Sequence, residues 1–282
     1  MLSAALVAQS LKITAGVAQV GFALGLLIRG PRSASNVAFA TSFGANGIAY
    51  ALFNVSPPGH RGAGSLALEG RAIFNWIAAG AMIVFVTAFL QSAGRAGRRR
   101  VAWLVGVSIA LAMGAAAAIA AQAYGLNLLE FGGIAIYPAS ALALAVFPLV
   151  FRGNTAQART DSAFLGAALG INSVDHLGAE LVRPGPSPEA TVLIQIVAMS
   201  IILGLWLWNA VSPNRVGSQL ALLVIFCLIA PFVAGVLVRV AAGSYAGVQR
   251  SGFIGIGRLA TTGLLAYGMV ARGAFSSHAD VS

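Results

Sequence analysis

Long apolar runs separated by short polar links recur along the chain. Those near residues 5–28, 37–56, 72–92, 101–122, 133–151, 191–211, 219–238 and 252–271 each approach the ~20 residues that a bilayer core demands of a helix. They predict eight membrane-spanning helices. A ninth stretch, 163–182, has the right length but carries Asn172, Asp175, His176 and Glu180. The links hold residues that disfavour helix continuation: Gly30-Pro31, Pro57-Pro58-Gly59, Pro184-Gly185-Pro186 and Ser212-Pro213-Asn214. The expected fold is therefore all-α: a polytopic integral membrane bundle of eight or nine helices, one transmembrane domain over residues 1–282.

The ninth stretch holds the most chemistry. A charged group in hydrocarbon costs at least ~2.5–3.5 kcal/mol, so its acids and imidazole either line a wet, protein-buried site or keep the segment out of the lipid. At 100° per residue Asn172, Asp175, His176, Glu180 and Arg183 fall within about 140° of one another and form one stripe. His176 and Glu180 are i,i+4 neighbours, which leaves Asp175 for a cation, a proton or an arginine of another helix. An adjacent Asp and His can relay protons, because imidazole titrates near neutrality. The alternative is an interfacial helix with its polar face in water. Upstream, Gly166-x-x-x-Gly170 offers a flat surface for close helix approach.

Further polar groups sit within the apolar runs. Lys12 shares a face of the first run with Gln9 and Gln19, and Ser42, Asn46, Tyr50 and Asn54 follow one another at i+4 in the second. Arg258 lies on one face with Thr261 and Thr262 in the last. These stripes could line one cavity; equally, Lys12 and Arg258 could snorkel to the headgroups and the amides could serve as interhelical glue. Residues 29–53 and 152–178 echo each other, with an Arg-Gly link, a polar stretch, Ala-Phe and a glycine-rich run. Such a weak internal repeat favours 163–182 as a span. Pro138, Pro148 and Pro231 mark positions where a helix could break or kink.

Composition agrees with the membrane class: 59% of residues are hydrophobic, 9% are charged and the mean hydropathy is +0.88. The formal charge of +10 suggests no nucleic acid, because the arginines sit mainly in short links and no basic stripe interleaved with aromatics exists. Under the positive-inside rule Arg29, Arg32, Arg95, Arg98, Arg99 and Arg100 face the cytoplasm and the N-terminus lies outside, in a cytoplasmic membrane of bacterial type. The first run lacks a preceding basic stretch and reads as a retained span. The lone Cys227 makes no disulfide framework.

Several chemistries fail on context. Gly255-x-Gly257-x-x-Ala260 lies inside an apolar run, without the strand and acidic residue that a dinucleotide site needs. Of three histidines only His176 sits at membrane depth, which disfavours haem and multi-histidine metal sites. No cofactor is expected, and an enzyme less than other classes. The leading expectation is passage of a small solute or ion, with proton coupling as an option, along Asp175, His176, Asn172, Glu180, Asn46, Tyr50, Lys12 and Arg258. The competing class is a membrane sensor or a non-catalytic subunit of a larger complex. Expected partners are the lipid bilayer, the solute or proton, and a second copy or a partner membrane subunit.

Overall fold

A computed structural model describes residues 4–30, 32–55, 66–93, 97–124 and 128–151, and single positions at 158, 161, 162, 165, 166, 169, 259 and 262. Five helices make up the continuous part: α1 (Ala4–Arg29), α2 (Ala34–Val55), α3 (Leu66–Ala93), α4 (Arg98–Tyr124) and α5 (Leu128–Val150). No strand occurs among the described residues. The helices fall on the first five predicted spans. The stretches 191–211 and 219–238, and nearly all of 163–182 and 252–271, lie outside the described residues, so the number of spans is not fixed here.

Among the described residues three stretches are long and apolar enough to cross a membrane: Gln9–Arg29, Glu69–Ala93 and Arg98–Ala118. Gly132–Phe147 of α5 is a shorter apolar helix. By contrast α2 carries Asn36, Ser42, Asn46 and Asn54 as buried residues, which lowers its hydropathy and ties it to its neighbours. Its flanks show why a helix forms there: Ser33 Oγ accepts the Asn36 N–H at 3.2 Å and Ser33 O accepts that of Val37 at 3.0 Å, an N-cap. Ahead of it, α1 ends where the Gly30 N–H reaches Leu26 O at 2.8 Å. A Cβ at Gly30 would collide with that same carbonyl, so the turn requires glycine. Arg29 in the last turn of α1 complements the helix dipole.

Short links force the helices to alternate in direction, and packing lines them up in the order α1, α2, α3, α5, α4. Central α3 is the most enclosed span, with 44% of its apolar window buried against 28% for α1 and 22% for α4. One boundary departs from the sequence reading: α3 starts at Leu66, six residues before the apolar run, with Glu69 in its first turn where the dipole favours an acid. The helix α5 continues through Pro138, which lies inside the predicted span 133–151. Gly166 lies against α5, where a Cβ would stand 3.3 Å from Ala141 O and 3.4 Å from Leu144 Cβ. The close approach expected of that glycine is thus made to α5.

Direction and register divide the described bundle into two unlike halves. The C-terminal ends of α1 and α3 and the N-terminal ends of α2 and α4 share one end face, where Arg29, Arg32, Arg98, Arg99 and Arg100 are all exposed. Beneath it Phe22, Phe39, Phe43, Phe85 and Phe89 interlock α1, α2 and α3: Phe22 meets Phe43 edge-on at 5.5 Å and Phe39 meets Phe85 at 5.0 Å. Such aromatic pairs add about 0.5–1.5 kcal/mol each beyond their burial. The other half is polar.

Candidate functional site

The polar half starts at Ser42, fully buried, whose hydroxyl donates to Ala78 O of α3 at 2.7 Å. One turn on, Asn46 is 3% exposed. Tyr50 follows, half-buried, and then Asn54, whose Nδ2 donates to Tyr50 O at 2.7 Å. From α1, Gln9 Nε2 donates to Asn54 O at 2.7 Å. The predicted i+4 ridge on α2 therefore exists as a buried ridge between α1 and α3.

Register follows from these pairs. Gln9 opposite Asn54, and Gly16 opposite Gly47, place Lys12 level with Tyr50 and Ala51, half-buried on the same face. Gln19 lies level with Gly44 and Gly47, about 15 Å along the helix from Arg29 and so at mid-depth. It is 3% exposed, and its Oε1 has no hydrogen-bond partner among the described residues. Asn75 of α3, 4% exposed, packs against Gly133 of α5, and its Nδ2 likewise has none. A buried amide left unsatisfied costs about 1–3 kcal/mol. Lipid offers no partner, so each such atom must be met by protein, water or a solute.

Further toward that end, Arg71 is 7% exposed and its guanidinium lies 4.4 Å from the centre of the Phe53 ring. A desolvated cation–π contact is worth about 2 kcal/mol. The sequence reading missed Arg71 and Asn75, although they are i,i+4 on one helix and continue into the buried stripe at Ala78, Ala79 and Met82. Asp161, 9% exposed, was missed as well. It stands beside fully buried Ser162.

Of the predicted site residues, the structure brings Asn46, Tyr50 and Lys12 to one polar seam. Asn172, Asp175, His176, Glu180 and Arg258 lie outside the described residues. Within the seam the mid-depth groups are neutral amides and hydroxyls, flanked toward one end by Lys12 and Arg71. Such a set can exchange hydrogen bonds with a passing solute by donating and accepting alike. Among the described residues no three His, Cys, Asp or Glu side chains converge. No family model, curated protein or solved structure matches the chain.

Proposed function

We propose that the chain passes a small polar solute or ion across a cytoplasmic membrane of bacterial type, through eight or nine spanning helices. What supports this reading is a pair of buried amides, Gln19 and Asn75, each with a hydrogen-bonding atom that meets no partner among the described residues, together with the buried α2 ridge that holds Ser42, Asn46 and Asn54. Such atoms need a partner from another part of the chain, from water or from a solute, and a solute path supplies one. A pathway needs groups free to change partners. The five exposed arginines at one end support a cytoplasmic placement of that end, and hence an external start for α1. Asp175 and His176, with Asn172 and Glu180, are the proposed proton-handling groups, and Tyr50, Lys12 and Arg258 accompany them.

Flux in proteoliposomes tests the reading. Protein reconstituted alone should pass members of a panel of small neutral solutes and ions, and Asn46→Leu and Asp175→Asn should each abolish that flux with yield and folding preserved. Liposomes tight to the whole panel, together with a fixed partner that co-purifies and is loosened by Asp175→Asn, would make the chain a complex subunit instead.

A further inference from the structure

The outward side of α4 carries a groove of about 450 Å³ lined by Arg99, Ala102, Trp103, Gly106, Val107 and Ala110. The opposite side of the helix, with Val101, Val105, Ser108 and Ala116, is buried against the bundle. The groove begins at the arginine end and runs down the span. At its head stand Arg98, Arg99 and Arg100, all exposed, in the first turn of a helix that has no acidic residue there. One turn below, Trp103 is 72% exposed. Its floor is small: a Cβ added at Gly106 would meet nothing within 4 Å.

We propose that this groove binds one anionic phospholipid of the cytoplasmic leaflet, its phosphate held by Arg99 and one acyl chain laid over Gly106 and Ala110. The inference rests on the membrane reading but not on transport. Charge complementarity selects the occupant. Three consecutive cations crowd a helix start whose dipole already favours an anion, and a guanidinium fork matches phosphate oxygens. Trp103 supplies the amphipathic ring that settles at headgroup level, with its N–H toward the interface and its body along the chain. A zwitterionic lipid would bring its own cation to the arginines, so the site discriminates by headgroup charge.

Trp103 also provides the readout. With Trp76, Trp206 and Trp208 replaced by Phe, the full chain is reconstituted in phosphatidylcholine vesicles, and Trp103 fluorescence is quenched by dibrominated phosphatidylglycerol or dibrominated phosphatidylcholine. The expected result is a preference of about fivefold for the anionic lipid, the weight of one arginine near a charged headgroup. Arg99→Gln should bring that preference near unity, and Gly106→Leu, which extends into open space, should reduce quenching by the brominated chain. Arg29→Gln, at the same end but off the groove, should leave the preference intact. Equal quenching by both lipids overturns the proposal, and so does an Arg29→Gln effect as large as that of Arg99→Gln, which would mean diffuse surface charge. Efficient disulfide cross-linking between chains at Gly106→Cys in a Cys227→Ser background also overturns it, because a second copy would then fill the groove.

Discussion

Gly16 and Gly47 face each other across the α1–α2 seam so closely that a Cβ on either would stand 2.7 Å from the other's carbonyl oxygen. Without the hydrophobic effect to drive association inside lipid, van der Waals contact between bare backbones is a main source of helix–helix affinity. The contact also sets the register that carries Gln19 to mid-depth and aligns Gln9 with Asn54. One reciprocal glycine contact thus fixes both the packing and the polar lining.

The glycines differ in what they tolerate. Gly47→Ala should lower stability by about 1–3 kcal/mol, because its methyl would press on backbone that cannot swing away. Gly21→Ala, whose Cβ would meet nothing within 4 Å, should be neutral or slightly stabilising. Thermal unfolding in detergent reads both, and equal shifts would show that the seam is loose.

The guanidinium of buried Arg71 lies over the Phe53 ring. Phe53→Leu should cost about 1–2 kcal/mol in the native chain, beyond any packing loss, and clearly less in an Arg71→Gln background. A double-mutant cycle that closes with no coupling would remove the ring from the account of how this cation is held.

How legible these features were in the sequence depended on whether their cause is local. The helices α1 to α5 follow from runs of apolar residues near bilayer length, and the Ser42-Asn46-Tyr50-Asn54 ridge follows from i+4 spacing, so both could be read directly. Arg71 could not: it precedes the run 72–92 by one residue and reads as a link charge, and only the folded bundle buries it, with its guanidinium over Phe53 of another helix. The pairing of Gly16 with Gly47 is invisible among 34 glycines, because nothing local distinguishes a glycine at a seam from one facing lipid.

Gln19 and Asn75 should show opposed effects on stability and flux. Gln19→Leu and Asn75→Leu each remove an open amide atom, and each should raise the unfolding midpoint in detergent, or at least leave it unchanged. Both should depress solute flux in proteoliposomes by tenfold or more, since the path loses a hydrogen-bonding station. Loss of stability with flux unchanged would identify the two amides as structural glue to undescribed parts of the chain, and the transport reading would lose its main support.

The last prediction concerns topology, which decides whether Asp175 and His176 stand in the membrane. With nine helices the chain after Arg272 is cytoplasmic and Ser187 is external; with eight, the tail is exported and Ser187 is not external. The 20-residue length of 163–182 and its echo of residues 29–53 favour nine. A reporter fused after Arg272 should therefore be active only in its cytoplasmic form. A cysteine at Ser187, in a Cys227→Ser background, should react with an impermeant maleimide added to intact cells. An exported reporter with an unreactive cysteine would move Asp175 and His176 into a link, where water satisfies both. Proton coupling through them would then have no physical basis, whereas the α2 ridge and its amides would stand unchanged.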